Sequence, residues 1–430
     1  MTDASTWQTL PLGAVVGTIV PQRDKPTDLD GPIPWLRIED FDGKYLGESK
    51  SGQGVTQSQV TQMPLRVFPE GTVVCSCSCT MGATAIATRP LVTNQTFIGL
   101  VPGPRIDASF LYYLMQAKED ELQQRASGSI QQYLSKSEFR ALRVSLPPVE
   151  EQRRIADFLD DQVTRVDAAM SLRVEQSQSL ADAFVSRLTQ TMLASTDRRV
   201  EMRRLLLRRP EYGANESAEF EDRHWPRYIR TTDVTSDGQL RTDTFRSLPP
   251  EVAAPYLLSE GDVLFTRSGT VGKSFIYRRE WGPAAYAGYL IRVTANTERV
   301  LPEWIKYFSE TSAYWSQIGE SAIQATIQNV SADRYASLRL PVPDLPTQRT
   351  LVSKFTGWTS YMRSLTQEVD SSLTLLEERK RVVITAAVTG ELDVTTARPI
   401  GVGKWVPNVG ASVERATAAQ AQAPSIGGIG

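Results

Sequence analysis

Residues 142–155 read LRVSLPPVEEQRRI, and residues 338–351 read LRLPVPDLPTQRTL. Leucines, prolines, a glutamine and an arginine stand at matching places, and the separation is constant, because 338 minus 142 and 351 minus 155 both give 196. In each stretch a strand-like run ends at prolines and passes into a long helical pattern. A sequence that repeats itself half a chain apart indicates two similar units in tandem.

Two further pairs of segments extend the repeat. Residues 225–234 (WPRYIRTTDV) match residues 34–41 (PWLRIEDF), and residues 259–276 (SEGDVLFTRSGTVGKSFI) match residues 69–86 (PEGTVVCSCSCTMGATAI). Alternating apolar residues with Gly and Pro at short intervals predict a β-rich globular region in each unit.

Two long helices follow the globular regions. Residues 150–194 contain no proline or glycine, which permits one helix of about 65 Å at 1.5 Å per residue. A second helical pattern runs from about Pro346 to Ala387, with apolar residues at alternating steps of four and three. This spacing predicts that the two helices pair as an antiparallel coiled coil.

The predicted fold class is therefore α+β, with two pseudo-repeated β-rich domains and two long helices. We expect five segments: a first domain over 1–148, a helix over 149–196, a second domain over 197–344, a second helix over 345–396, and a tail over 397–430. The tail is rich in Gly, Ala, Pro and Gln, a composition that predicts disorder.

The bulk composition is that of an ordinary folded protein, with 430 residues of which 41% are hydrophobic. A formal charge of −2 and a pI of about 5.8 argue against a protein that coats nucleic acid without selectivity. No signal-like or bilayer-spanning apolar run is visible. The three cysteines all lie in Cys75-Ser-Cys77-Ser-Cys79, an odd count that indicates a reducing compartment. A cytoplasmic location with no membrane partner is expected.

Two strings suggest chemistry that the rest of the sequence does not support. Residues 268–274 (SGTVGKS) resemble a phosphate-binding loop, but position 267 is Arg267 where that loop has its first glycine, and the text that follows reads as a strand. The CxCxC run lacks a fourth ligand at turn spacing, since the single histidine is His224. With no triad or carboxylate pair shared by the two units, no catalytic and no metal-ligating residue is predicted.

Basic and amide side chains cluster in the predicted loops of both units. Arginine and lysine suit guanine edges and phosphates, and asparagine and glutamine suit adenine edges. Six arginines also fall within residues 198–209, where a solvated helix end and a basic surface are both open readings.

Four strings together resemble the specificity subunit of type I restriction-modification systems: LPPVEEQRRIADFLD, VPDLPTQRTLVSKF, EGDVLFTRSGTVG and ITAAVTGELD. The resemblance covers residues from about 30 to 395. It implies two target-recognition domains that each read one half of a split sequence in double-stranded DNA. It also implies two long conserved helices that dock two DNA methyltransferase (modification) subunits, which in some systems recruit two restriction or translocase subunits. No cofactor is expected in this chain; S-adenosylmethionine, ATP and Mg belong to those partner subunits.

The resemblance directs the choice of site residues. The DNA-binding candidates are Lys44, Arg89, Gln131, Gln132, Tyr133, Arg230, Arg267, Lys273, Gln328 and Asn329. The partner-binding candidates are Glu151, Gln152, Arg153, Gln348 and Arg349.

Two departures weaken parts of this pattern. The second copy has Thr347 and Thr350 where the first has Glu151 and Arg154, and Cys77 stands where the second unit has Arg267. The main alternative is a coiled-coil scaffold whose β-rich units bind proteins and not DNA. A third reading, an ATP-dependent or metal enzyme, depends only on the loop-like string and the cysteines.

Overall fold

A computed structural model describes residues 7–21, 25–77, 82–127, 134–235, 238–267, 272–322, 329–396 and 398–399. The chain divides into two compact units, and each unit contains part of both long helices. Unit 1 comprises residues up to 170 and from 373 onward, and unit 2 comprises residues 171–372. The five-segment division given above stays a prediction.

Unit 1 is built on a five-stranded sheet with smaller sheets beside it. Its strands are β1 Gln8–Pro11, β2 Val16–Ile19, β3 Ile33–Leu36, β4 Tyr45–Leu46, β5 Gly54–Val55, β6 Val73–Ser76, β7 Thr84–Ala87, β8 Val92–Thr93, β9 Phe97–Pro102 and β10 Arg143–Leu146. Its helices are α1 Gln57–Gln62, α2 Ala108–Ala117, α3 Glu119–Ser127, α4 Lys136–Ala141 and the first part of α5, Val149–Ala194. The sheet orders are β2-β9-β6-β7-β4, β5-β3-β8 and β1-β10.

Unit 2 repeats this plan with a four-stranded central sheet. Its strands are β11 Arg199–Glu201, β12 Glu211–Tyr212, β13 Arg227–Ile229, β14 Val263–Thr266, β15 Ser274–Ile276, β16 Ala284–Tyr286, β17 Leu290–Val293 and β18 Arg339–Pro341. Its helices are α6 Pro250–Ala253, α7 Pro302–Phe308, α8 Ser312–Ala322, α9 Ala332–Ser337 and the first part of α10, Leu345–Thr389. The sheet orders are β12-β17-β14-β15, β13-β16 and β11-β18.

Strand register confirms the internal repeat. Trp35 pairs with Val92 in one parallel ladder, and Tyr228 pairs with Ala285 in another. The two ladders are equivalent, because 228 minus 35 and 285 minus 92 give the same difference. The outer antiparallel ladders match as well, because β1 pairs with β10 and β11 with β18. Strand β15 begins at Ser274, the last residue of the SGTVGKS string, so the residues that follow the string form a strand, as predicted, where a phosphate-binding loop requires a helix.

Both long helices are observed close to their predicted limits, and they pair in opposite directions within each unit. In unit 1, Ile155 and Leu159 near the start of α5 share a core with Ile384 and Val388 near the end of α10. In unit 2, the late part of α5 and the early part of α10 share the other main core through Leu188, Met192 and Phe355. The predicted α+β fold with an antiparallel helix pair is confirmed.

Two polar contacts fix the register of this pairing. In unit 1 Lys380 contacts Asp167 at 2.7 Å, and in unit 2 the Arg187 guanidinium lies 4.5 Å from the ring centre of Trp358. The residue numbers of the first pair add to 547 and those of the second to 545. Residues whose numbers add to about 546 therefore face each other.

The end of the chain is described only in part. After α10, strand β19 (Leu392–Asp393) pairs with β20 (Arg398–Pro399). The rest of the predicted tail lies outside the described residues. Among those that are described, no helix is long and apolar enough to cross a membrane.

Candidate nucleic-acid interface

The repeated stretch forms a joint between each β-rich region and a long helix, and one glutamine holds each joint. The Gln152 side chain accepts from Asp107 N at 2.8 Å and donates to the Arg105 and Pro147 carbonyls at 3.0 and 2.8 Å. At the equivalent place Gln348 accepts from Leu301 N at 2.9 Å and donates to the Arg299 and Pro343 carbonyls at 3.0 and 2.9 Å. In both units a glutamine thus satisfies one backbone amide and two backbone carbonyls at the joint.

This geometry corrects three of the five partner-binding predictions, Glu151, Gln152 and Gln348. Both glutamine side chains are fully buried, so Gln152 and Gln348 present no surface to another protein. Glu151 is also buried, at 6% exposure. Arg153 and Arg349 are exposed, and Arg153 pairs with Glu150 at 2.7 Å. The two arginines remain candidates for partner contact, whereas the glutamines are internal clamps.

In unit 2 the hairpin between β14 and β15 collects three of the predicted DNA-binding residues. Arg267 directly follows strand β14, with its guanidinium 4.8 Å from the ring centre of Tyr212. The backbone of Arg267 bonds to two neighbouring loops, accepting from Val330 N at 3.0 Å and donating to the Tyr289 carbonyl at 2.9 Å. Val330 is the neighbour of Asn329, and Lys273 closes the hairpin. Arg267, Lys273 and Asn329 are therefore carried by segments that meet at one hairpin.

Exposed aromatic rings surround this hairpin. Tyr289 is 62% exposed, and the Tyr212 hydroxyl accepts from Ala332 N at 3.0 Å. Gly272 has φ +86, and a side chain there would meet the ring of Trp315 at 2.8 Å. Basic groups interleaved with aromatic faces suit nucleic acid, because cations bind phosphates and rings stack on bases or sugars.

In unit 1 the equivalent hairpin makes the same backbone hydrogen bonds but carries different side chains. Cys77 stands at the Arg267 position, with its carbonyl accepting from Leu134 N at 3.0 Å and its amide donating to Thr96 O at 2.9 Å. Gln131, Gln132 and Tyr133, which precede Leu134, lie outside the described residues, as does Gln328 in unit 2. The two hairpins have one backbone plan and different side chains, as expected for units that contact different targets.

Two of the three cysteines lie in strand β6 or directly after it. Cys75 and Cys77 are buried, and burial raises the pKa of the Cys75 thiol to about 12. Burial thus favours the neutral thiol of Cys75 in this structure. Cys79 lies outside the described residues, and the described part of the chain contains no group of three or more potential metal-ligating side chains.

The prediction that Lys44 contacts DNA is also corrected, because its ammonium group pairs with a carboxylate inside unit 1. Its Nζ lies 2.6 and 2.7 Å from the two carboxylate oxygens of Asp160 on α5, and the Tyr113 hydroxyl donates to the same carboxylate at 2.5 Å. The Lys44 side chain is only 12% exposed. Lys44 therefore anchors the strand region to the long helix and is not a free contact for DNA.

Arg230 also has an internal role. Its guanidinium makes a two-point ion pair with Asp233, at 2.6 and 2.9 Å, and donates to the Thr244 carbonyl at 3.0 Å. The Asp233 side chain is fully buried, and the turn is repeated in unit 1, where Asp40 accepts from Arg37 N at 2.7 Å. Arg230 thus has a structural partner, and because its side chain is 27% exposed its contact with DNA stays a prediction.

Arg89 lies at the surface, as its predicted role requires. It pairs with Glu48 at 2.7 Å, and both side chains are exposed. An exposed pair of this kind contributes little to stability and separates at low cost when a phosphate competes. Arg89 therefore stays a DNA-contact prediction.

Three contributors to these contacts were not predicted: Tyr212, Asp160 and the tyrosines that face the long helices. Tyr113 bonds Asp160 in unit 1, and Tyr307 bonds Thr356 at 3.1 Å in unit 2. Both the tyrosines and their partners stand at equivalent places in the two units, so comparison of the repeats could have revealed them.

Comparison with known proteins agrees with this architecture. Residues 5–171 match the family described as type I restriction modification DNA specificity domain. Over these residues the chain is similar to the type I specificity subunits. The MjaIX specificity subunit of Methanocaldococcus jannaschii is 31% identical over 151 residues, which is 34% of this chain and 35% of that protein. The EcoBI specificity subunit of Escherichia coli is 20% identical over 76% of this chain and 74% of that one.

One solved structure has a similar fold. The study of that structure concerns complex assembly and conformational transition of the type I R-M system. The structure aligns with 90% of this chain and 98% of its own, at a TM-score of 0.67 and 16% identity. The resemblance inferred from the four strings is confirmed.

Proposed function

We propose that this chain is the DNA sequence-specificity subunit of a type I restriction-modification complex and that each β-rich region reads one half of an asymmetric bipartite target. The observation that carries the proposal is the duplicated hairpin site. Its backbone hydrogen bonds follow the same plan in both units, whereas Arg267 in one is replaced by Cys77 in the other. Equal frameworks with unequal side chains suit two related but different half-sites.

The helices supply the second part of the proposal. α5 begins at the Gln152 joint of unit 1, and its last turns contribute Leu188 to the core of unit 2, so one continuous helix belongs to both units. A helix of 46 residues is about 70 Å long at 1.5 Å per residue, which equals about two turns of DNA at 34 to 36 Å each. We infer that the helix pair sets the spacer between the half-sites.

The two long helices indicate which partners to expect. Exposed Arg153 and Arg349 lie at equivalent first turns of α5 and α10, so two copies of one partner could dock in similar ways. We propose that these partners are two DNA methyltransferase subunits, with restriction or translocase subunits as further members of some complexes. S-adenosylmethionine, ATP and Mg would be bound by those subunits, and this chain would contribute recognition and no catalysis.

Selection from a library of random duplexes tests the proposal. The full chain is used alone and with the methyltransferase subunit from the same genome, and the retained duplexes are sequenced. We expect one sequence of two short blocks separated by a fixed number of unspecified base pairs. Retention without any sequence preference under both conditions would overturn the proposal and favour a protein-binding scaffold.

A chimera then tests which unit reads which block. Exchange of residues 197–344 for the equivalent region of a relative should change one block and leave the other block and the spacer intact. Change in both blocks would contradict independent reading.

A further inference from the structure

The turn between β16 and β17 brings Tyr289 to the hairpin site of unit 2. Thr266, the last residue of β14, pairs with Leu290, the first residue of β17, so the hairpin and this turn lie at the same end of the sheet. The Tyr289 carbonyl accepts from Arg267 N at 2.9 Å. Tyr289 is therefore bonded directly to the residue that is proposed to read a base.

The backbone of this turn is held by hydrogen bonds on both sides of Tyr289. Gly288 N donates to the Ala214 carbonyl at 2.6 Å, and Leu290 N donates to the Ala287 carbonyl at 2.8 Å. Only the side-chain torsions of the tyrosine remain free to rotate. A fixed backbone that carries one aromatic ring offers a large contact area at a small cost in conformational entropy.

The fold does not need this ring. The Tyr289 side chain is 62% exposed, and no hydrogen bond joins its hydroxyl to another described residue. Unit 1 makes the same backbone bond with a smaller residue, because the Thr96 carbonyl accepts from Cys77 N at 2.9 Å. The turn thus forms without an aromatic residue, so the ring in unit 2 has another role.

Arg267 and Tyr289 differ together between the two units. The backbone bond that joins them in unit 2 joins Cys77 to Thr96 in unit 1. Two identical copies of a protein partner would meet both units through the same residues, whereas the two halves of an asymmetric DNA target require different ones. The paired difference therefore favours DNA over a protein partner as the molecule that the ring contacts.

The structure of duplex DNA limits what the ring can contact. A two-stranded ribbon such as the β14–β15 hairpin fits the major groove, where base edges are accessible and base faces are stacked on each other. Most groups on those edges donate or accept hydrogen bonds, and the apolar one is the C5 methyl group of thymine. An aromatic ring beside a base-reading arginine therefore matches a thymine.

We propose that the Tyr289 ring packs against the methyl group of a thymine in the half-site read by unit 2. Arg267 makes polar contacts with the same block of bases, and Tyr289 adds an apolar contact that distinguishes thymine from the other bases. The proposal rests on the proposed DNA-binding function and names one further residue that determines its specificity.

The test removes the methyl group and the ring separately. The block read by unit 2 is assigned by the exchange of residues 197–344, and each thymine on either strand of that block is replaced singly by uracil, which pairs in the same way but lacks the methyl group. Affinity for the thymine and uracil duplexes is measured with the full chain in the assembled complex.

Three variants are compared with the parent chain after thermal unfolding shows that they are folded. Tyr289→Thr introduces the residue that unit 1 has at this position, and Tyr289→Phe keeps the ring without the hydroxyl. The control is Tyr361→Thr, because Tyr361 is a similarly exposed tyrosine of unit 2, at 65%, on α10.

At one thymine we expect uracil to reduce the affinity of the parent chain about threefold to tenfold, the magnitude expected for one buried methyl group. Tyr289→Thr should abolish this difference, because the shorter side chain does not reach the base, whereas Tyr289→Phe and Tyr361→Thr should retain it. A block without thymine, equal affinity of the parent chain for both duplexes, or a difference that persists in Tyr289→Thr would overturn the proposal.

Two further outcomes separate this inference from its alternatives. Weaker methyltransferase binding by Tyr289→Thr with an unchanged ratio of thymine to uracil affinity would overturn the proposal and assign the ring to a protein partner. A parent chain that selects no sequence would refute the proposed function, whereas two selected blocks without a methyl effect would refute this inference alone.

Discussion

Gln152 and Gln348 occupy equivalent positions in the two repeats and make the same three hydrogen bonds. Each bonds one backbone amide and two backbone carbonyls where a β-rich region meets a long helix. Both side-chain amides are fully buried. The joint is therefore rigid by construction, since a buried amide that has all its partners cannot reorient without breaking these bonds.

The first prediction concerns this clamp. Gln152→Leu leaves a buried amide and two carbonyls without partners, and unsatisfied buried groups cost about 1–3 kcal/mol each when solvent cannot reach them. We expect a loss of about 2–4 kcal/mol in the free energy of unfolding measured with urea, allowing for partial relaxation. Exposed Arg153→Gln is the matched control and should change the free energy by less than about 0.5 kcal/mol. A Gln152→Leu chain as stable as the control would refute the clamp.

The limits of the two long helices could be predicted from the sequence, but the burial of the repeated glutamine could not. The predicted limits of both helices agree with their observed ends, because the absence of proline and the spacing of apolar residues are local signals. The resemblance to the specificity subunits predicts the repeated glutamine as a partner contact. Its burial depends on loops at Arg105 and Arg299, which fold back from 47 and 49 residues away in the chain.

Contacts between site residues that lie far apart in the chain also could not be predicted from the sequence. Lys44 and Asp160 are 116 residues apart, and no periodicity in the sequence brings them together. Arg230 and Asp233 are close neighbours in the chain and recur as Arg37 and Asp40. In unit 1, however, the Arg37 guanidinium pairs with Glu39, so the repeat alone does not predict the ion pair of unit 2. Arg267, Lys273 and Asn329 are predicted as loop residues, but only the tertiary structure shows that their segments meet.

The second prediction uses the asymmetry between the helix anchors. Tyr113 donates to the Asp160 carboxylate, whereas Tyr307 bonds the neutral hydroxyl of Thr356. Hydrogen bonds to charged groups are roughly twice as strong as neutral ones. Tyr113→Phe should therefore cost about 1–2 kcal/mol of unfolding free energy and Tyr307→Phe about 0.5–1 kcal/mol. Equal losses in urea unfolding would argue against the charged anchor.

A double-mutant cycle isolates the contact itself. We expect Asp160→Asn and Tyr113→Phe together to cost less than the sum of the single changes, by at least about 0.5 kcal/mol, because both remove the same bond.

The third prediction concerns base reading in unit 2. Arg267→Ala should weaken binding to the selected duplex by about 1–3 kcal/mol and relax selection in one block, because a bidentate arginine distinguishes guanine from other bases. Tyr212→Leu should have a smaller effect on the same block, since the ring only positions the guanidinium. Arg89→Ala in unit 1 is the control and should leave that block unchanged. Equal weakening on all sequences would identify Arg267 as a phosphate contact.

The fourth prediction follows from buried tyrosines. Burial raises the pKa of Tyr112 and of Tyr286 to about 12, and it also raises the pKa of Tyr113, Tyr314 and Tyr335. Above pH 10 the unfolded chain loses phenolic protons that the folded chain retains, so stability is complete below pH 10 and falls as the pH rises toward 12. For each such tyrosine the slope approaches roughly 1.4 kcal/mol per pH unit.

Urea unfolding between pH 8 and 11 measures this loss, and absorbance at 295 nm reports phenolate formation. We expect a steep decrease in unfolding free energy above pH 10, with many tyrosines ionising only as the protein unfolds. A free energy that stays constant from pH 9 to 11 would contradict the assignment.

The fifth prediction tests whether the helix pair sets the spacer. Because facing residues have numbers that add to about 546, Val174–Leu180 of α5 faces Thr366–Ser372 of α10. Deletion of both segments removes one heptad from each helix and preserves the apolar seam, since seven residues restore the same face. The helix pair becomes about 10 Å shorter at 1.5 Å per residue. The optimal spacer in the selected duplex should therefore decrease by about three base pairs at 34 to 36 Å per turn.

Deletion of Val174–Leu180 alone provides the control for this experiment. It moves one helix past the other by a heptad, so contacts such as Arg187 with Trp358 and Asp167 with Lys380 cannot all form at once. We expect the single deletion to lower the unfolding temperature while the double deletion stays close to the parent chain. If a well-folded double deletion still selects the parent spacer, the length of the helix pair does not set the spacing of the half-sites. The units would then be positioned by their partner subunits.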